Sequence, residues 1–185
     1  MNESNGLPKG WASIPLGSIG QWYGGGTPSK SNPVFWEKGN VAWISPKDMK
    51  SLRLSDSEDH ISSLALKETN VKTFPSGTVL VVIRSGILSR TLPIAVTDVQ
   101  ATMNQDLKGV FPHNGIDSTY IAYFLRSEEH EILRRCSKHG TTVASIDTRS
   151  LHSYPCRIAP TDEQRRIVRW RSDKLPRFCS DKLPR

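Results

Sequence analysis

The sequence predicts an α/β fold of the α+β type: a short-stranded twisted sheet with one main body helix and a C-terminal helix. Three observations carry that expectation. Val41-Ala42-Trp43-Ile44 and Thr78-Val79-Leu80-Val81-Val82-Ile83 are short apolar runs rich in strand formers, bounded by glycine, proline and serine turns. Tyr120, Ile121, Phe124, Leu125, Ile132, Leu133 and Cys136 recur at helical spacing behind the capping pair Asp117-Ser118. Pro160 ends a strand, and Thr161, Asp162 and Glu163 open a second helix, with acids at its positive end and basic residues after them.

The elements follow in order. Leu7-Pro8-Lys9-Gly10-Trp11 is turn chemistry, and Ile14, Leu16 and Ile19 read as a short strand ending in a flexible loop, Gly24-Gly25-Gly26-Thr27-Pro28-Ser29. The strand over 41–44 feeds a second loop, Ser45-Pro46-Lys47-Asp48-Met49. Residues 51–72 read as polar surface, acidic around Asp56, Glu58 and Asp59, with a short helix over 62–69. The run over 78–83 is the strongest strand, because consecutive β-branched residues imply burial on both faces. Leu92-Pro93-Ile94-Ala95-Val96 gives another, with Pro93 marking an edge or a strand start. Strands over 109–112 and 153–158 and a short helical or extended piece over 146–151 complete the body.

At 185 residues with 36% hydrophobic content, the chain is sized for one substantial core with an appendage. No stretch reaches the roughly 20 apolar residues of a membrane span, and the first ten residues lack the apolar run of a signal peptide, so a cytoplasmic protein is expected. Cys136, Cys156 and Cys179 are an odd set without paired spacing and read as free thiols. His60, His113, His130, His139 and His152 do not form a helical metal-ligand pattern, so neither a metal nor a cofactor is expected. The net charge is +7, but from Arg165 onward eight Lys/Arg stand against two Asp/Glu, while the preceding residues hold 17 against 16. The body is nearly neutral, so a nucleic-acid face there must be built from local clusters.

Catalysis is not expected. The triple glycine at 24–26 lacks the Gly-Lys-Ser/Thr of a phosphate loop, and the chain lacks the Asn/Asp-Pro-Pro-aromatic motif of adenine methyltransferases. Asp56, Glu58 and Asp59 have no catalytic lysine pattern beside them, as a nuclease would require.

Six segments stand in order: Leu7-Pro8-x-Gly10-Trp11, Gly25-Gly26-Thr27-Pro28-Ser29, Trp43-Ile44-Ser45-Pro46-Lys47-Asp48-Met49, Asn104-Gln105-Asp106-Leu107-Lys108, Gly140-Thr141-Thr142 and Glu163-Gln164-Arg165-Arg166-Ile167-Val168. Together they resemble the target-recognition domain of the specificity subunit of Type I restriction-modification systems. The resemblance implies sequence-specific binding of double-stranded DNA by a non-catalytic subunit. A methyltransferase (modification) subunit then methylates adenine, and a restriction subunit acts through the complex. It also implies that residues 1–160 are the recognition domain and that 161–185 begin the family's conserved coiled-coil arm. Family members carry two such domains joined by long helices, whereas Pro176 stops the helix here after roughly three turns. A half-length or truncated subunit is therefore expected, with a homodimer as one way to complete it. The rival reading is a degenerate half-subunit that scaffolds without reading DNA.

DNA affinity needs donors for phosphates, and specificity needs side chains that reach base edges. Thr27, Ser29 and Lys30 supply hydroxyls and a cation suited to phosphates, or form a mobile turn. Lys47 and Lys50 follow a buried strand, and from Lys30 to Arg53 five cations face Glu37 and Asp48, which reads as a basic patch. Arg84, Ser85 and Arg90 flank Gly86 in a hairpin-like segment, where an arginine either forks onto guanine or lies solvated. Lys138, His139, Thr141 and Thr142 follow the main helix, suited to base contact or to capping and turn chemistry. Glu163, Gln164, Ile167, Val168 and Trp170 are the candidate partner interface, since the apolar stripe among them either packs on the body or seats a partner helix.

Overall fold

Val79, Leu80, Val81 and Val82 are each fully buried, and the fold is layered around them. The computed structural model describes residues 6–138 and 142–174. In chain order the strands are β1 (Ala12–Pro15), β2 (Gly20–Gly24), β3 (Val41–Ile44), β4 (Arg53–Leu54), β5 (His60–Ile61), β6 (Val79–Val82), β7 (Ile94–Thr97), β8 (Thr102–Met103), β9 (Leu107–Pro112) and β10 (Pro155–Ile158). The helices are α1 (Ser63–Glu68), α2 (Ser118–Ser127), α3 (Glu129–Cys136), α4 (Thr148–Ser153) and α5 (Thr161–Lys174). The mixed α/β class matches expectation.

The single sheet expected is three among the described residues. A five-stranded sheet runs β2-β9-β6-β7-β4, a three-stranded one β5-β3-β8, and β1 pairs with β10 alone. In the large sheet β6 pairs antiparallel with β9 and β7, and α2 packs across β6 and β7. Each large aliphatic side chain so buried stabilises the fold by about 1.5–3 kcal/mol. Pro93 stands just before an interior strand, its carbonyl accepting from Val82 N at 3.2 Å, so it marks a strand start. A smaller cluster of Phe35, Trp43, Ile61, Ala65 and Val71 lies behind β3.

Several expectations change for identifiable reasons. The opening segment holds two strands separated by a 3-10 turn over Leu16–Ser18, because β1 leaves to pair with β10. The segment read as surface contains β4 and β5, whose Leu54 and Ile61 are buried. The main body helix is two helices, broken at Glu128, whose φ of −98° and ψ of 4° leave helical geometry. There the Ser127 hydroxyl turns back onto the Phe124 carbonyl at 2.7 Å, a local competitor to the helix ladder. The Glu128 carboxylate accepts from Tyr154 Oη at 2.6 Å and pairs with Arg157. The apolar spacing hides the break, because the step from Leu125 to Ile132 spans close to two whole turns and keeps the phase. α1 starts as expected, with Ser62 Oγ accepting from Ala65 N at 3.3 Å, and Asp117 caps α2 by accepting from Tyr120 N at 2.8 Å.

Gln164 joins α5 to the body. It is 1% exposed; its Oε1 accepts from Asp117 N at 2.8 Å, and its Nε2 donates to Ala159 O at 2.8 Å and Gly115 O at 3.1 Å. One amide thus ties the start of α5 to the cap of α2. His152, on α4, lies 4.4 Å from the Trp22 ring, and its Nε2 is buried without a hydrogen-bond partner among the described residues. Burial and nearby Lys108 push its pKa below the ordinary 6.5.

Gln164→Leu is expected to destabilise the fold by about 2–3 kcal/mol in urea unfolding, since it orphans buried backbone groups. The unfolded chain protonates His152 near 6.5 while the folded chain resists, so stability is undiminished above 6.5 and falls as pH drops below it. His152→Phe is expected to flatten unfolding free energy against pH between about 5 and 7.

Candidate nucleic-acid interface

The glycine loop after β2 is pinned, contrary to the expected flexible turn. A Cβ at Gly25 would lie 1.6 Å from Asn104 O, so only glycine allows this approach of two backbones. Gly26 N donates to Met103 O at 2.9 Å, and Gly26 O accepts from Trp43 Nε1 at 2.9 Å. Thr27 Oγ1 donates to Gln105 Oε1 at 2.5 Å. Farther on, Ser29 O accepts from Trp36 Nε1 at 3.1 Å, while the exposed Lys30 lies 5.9 Å from the Trp36 ring centre. Trp36 in turn meets Trp43 edge-on at 5.1 Å.

The loop after β3 is closed by a capping box in which Asp48 Oδ2 accepts from Ser45 N at 2.8 Å. Lys47, just inside it, lies 3.0 Å from Glu58 Oε1 and 3.0 Å from Asp59 Oδ2, and these carboxylates raise its pKa. Arg53 is likewise paired with Asp98. The expected basic patch is therefore neutralised in part: the acidic segment supplies partners for Lys47, and Asp98, just after β7, supplies one for Arg53. Within that segment Asp56 pairs at 2.7 Å with His60, the first residue of β5. Lys50 is exposed and makes no ion pair among the described residues.

Residues 84–90 form a 3-10 turn over Gly86–Ser89, where a hairpin-like segment was expected, and Ser85 Oγ accepts from Ile87 N at 3.4 Å. Arg90, exposed, ends this turn. Arg84 Nε lies 2.6 Å from Asp106 Oδ1. Asp106 is fixed by Asn104, whose Nδ2 donates to its Oδ2 at 3.1 Å. Lys138 stands 4.0 Å from Asp147, whose carboxylate caps α4 by accepting from Ser150 N at 2.9 Å, the bond that most lowers its pKa. Thr142 is exposed nearby, whereas His139 and Thr141 lie outside the described residues.

Two clefts collect Lys47, Lys50, Arg84, Ser85 and Lys138, whereas Thr27, Ser29, Lys30, Arg90 and Thr142 line neither. One of about 680 Å³ is lined by Lys47, Lys50, Ser85, Ile87, Arg126 and Glu129, among others. The other, of about 540 Å³, takes in Arg84, Gln105, Lys138, Val143, Ser145 and Thr148. Adjacent Arg84 and Ser85 join them, and the Thr27–Gln105 bond attaches the loop of Ser29 and Lys30. Sequence reasoning missed Gln105 and Asp106 as site residues, although the segment 104–108 carries the resemblance. Arg126 and Glu129 gave no signal, because they sit inside the helical pattern.

The candidate partner residues divide. Gln164 faces inward, and the half-buried Ile167 and Val168 pack against the main core, because residues 164, 167 and 168 share the helix face laid on α2. Glu163 pairs with Arg166 at 2.7 Å, and Trp170 is 53% exposed with Arg171 5.6 Å from its ring. Cys136 and Cys156 are buried thiols, and burial pushes Cys156 up to about 12.

Residues 8–172 match the family model of the Type I restriction modification DNA specificity domain. The chain belongs to this family. It is 44% identical over 172 residues to the Type I restriction enzyme EcoR124I/EcoR124II specificity subunit of Escherichia coli, covering 92% of this chain and 43% of that protein. A solved Type I restriction-modification system superposes with a TM-score of 0.69 at 22% identity, covering 92% of this chain and 40% of that one. The HsdS subunit from Thermoanaerobacter tengcongensis gives 0.67 at 20% identity, covering 92% and 39%. The chain therefore spans about two fifths of the length of the relatives it matches.

Gly25→Ala is expected to cost about 2–4 kcal/mol in urea unfolding, because the Asn104 backbone must move. Gly86→Ala, where an added Cβ meets nothing within 4 Å, is expected to stay within about 0.5 kcal/mol of wild type.

Proposed function

We propose that this chain is a sequence-reading DNA component of a Type I restriction-modification complex, directing adenine methylation and cleavage by partner subunits and contributing no catalysis itself. The observation that carries this reading is the family match over nearly the whole chain, to relatives named as specificity subunits. Its partners are double-stranded DNA, a modification subunit and, through the complex, a restriction subunit; its place is the cytoplasm. Among the described residues no helix is long and apolar enough to cross a membrane. Residues 161–174 begin the arm that meets the modification subunit, the rest of the expected arm, 175–185, lying outside the described residues, and a second copy of the chain supplies the other half of a split target. Gln164, Ile167 and Val168 turn inward, and Glu163 and Trp170 are the arm residues assigned to the partner interface.

Thr27, Ser29, Lys30, Lys50, Arg84, Ser85, Arg90, Lys138 and Thr142 form the reading rim. With Lys47 and Arg53 already paired to acids, this rim supports base selectivity more than bulk affinity. The same pairing favours the scaffold reading, and salt dependence separates the two.

Co-expression with the modification subunit, followed by single-molecule sequencing of host DNA, is expected to show one methylated motif absent from cells with either protein alone. Binding of the purified complex to a duplex carrying that motif is expected to fall steeply with salt, as roughly four to eight phosphate contacts require. Co-purification of the two subunits with no methylated motif and no salt-dependent binding would replace this reading with the scaffold.

A further inference from the structure

Arg84 is oriented before any ligand arrives. Its Nε is bound to Asp106 Oδ1 at 2.6 Å, while its side chain remains 53% exposed. Its two Nη groups carry no hydrogen bond among the described residues. Asp106 is itself immobilised, being 22% exposed at the side chain. Its other carboxylate oxygen takes Asn104 Nδ2 at 3.1 Å, its amide donates back to Asn104 Oδ1 at 3.0 Å, and its carbonyl accepts from Ile83 N at 2.7 Å. Asn104 N donates to Ile44 O at 2.9 Å, which fixes the whole unit to β3. The chain of support thus runs from sheet to Asn104, to Asp106, to the guanidinium.

A guanidinium held by Nε alone keeps a planar pair of donors pointing outward. That fork matches two acceptors on one ligand edge, either guanine O6 and N7 or two phosphate oxygens. The adjacent carboxylate decides between them: it offsets the arginine charge and repels a phosphate, whereas a neutral base edge needs only directed donors.

We propose that Arg84 reads a guanine of the target through its two Nη groups and that Asp106, held by Asn104, is the positioning residue that aims it. This assignment rests on the DNA-reading function above. It gives the segment 104–106 a role beyond loop closure: Asp106 limits the rotamers of a long, flexible side chain, so less entropy is lost on binding.

The test is selection of bound duplexes from a randomised pool by the chain in complex with its modification subunit, for wild type, Arg84→Gln and Asp106→Asn. Wild type is expected to yield a motif with an invariant guanine. Arg84→Gln is expected to lose preference at that position by roughly 5- to 150-fold, with the other positions intact and the salt slope changed by less than about half a unit. The intact positions report that the variant is folded. Asp106→Asn, which removes a negative charge, is expected to bind duplexes more tightly overall while relaxing the same guanine. A phosphate contact gives a different result and would overturn the assignment: Arg84→Gln would keep every preference, weaken all sites alike and reduce the salt slope by about one. A wild-type pool with no motif would remove the DNA-reading function itself, and the assignment with it.

Discussion

The approach of Gly25 to the Asn104 carbonyl, closer than any side chain allows, is the constraint on which the candidate interface depends. It brings the exit of β2 against the turn between β8 and β9, and the Gly26–Met103 and Trp43–Gly26 hydrogen bonds lock that meeting from two further sides. From this junction Gln105 reaches Thr27, and Asp106 reaches Arg84. Segments separated widely in sequence meet here because a missing methyl group lets two backbones approach. Backbone contacts of this kind hold the two loops together with groups of the chain itself.

Elements with local signals were legible in the sequence. β3 and β6 stood out as apolar runs between turns, α1 through its apolar and polar pattern, and α2 through the cap at Asp117. Non-local features were hidden. β4 and β5 are two residues each, too short to alternate, and the departure of β1 to β10 depends on a strand near the other end of the chain. Gln164 read as one more polar residue on a charged helix, because nothing nearby reveals that Gly115, Asp117 and Ala159 converge on it.

The candidate site was legible as motifs and less so as charges. Local counting treats Lys47, Arg53 and Arg84 as free cations, yet each meets a carboxylate supplied from elsewhere: Glu58 and Asp59, Asp98, and Asp106. Several residues of the segments that carried the family resemblance act as scaffold. Gly25, Gly26, Ser45, Asp48 and Asn104 spend their polar groups or their lack of a side chain on holding loops together. That division separates residues that hold the loops from the exposed side chains beside them, such as Ser29, Lys30 and Lys50.

Arg84 and Lys138 of the candidate rim meet Asp106 and Asp147, while Lys30, Lys50 and Arg90 make no ion pair among the described residues. The most direct measurement is amide hydrogen exchange on the complex with the modification subunit, with and without target duplex. Without DNA, the Gly26 and Asn104 amides are expected to exchange as slowly as those of β6, and duplex is expected to add protection at 84–90 and 104–106. Fast exchange at Gly26 and Asn104 without DNA, or duplex protection confined to 161–174, would contradict a rim built in advance of its target.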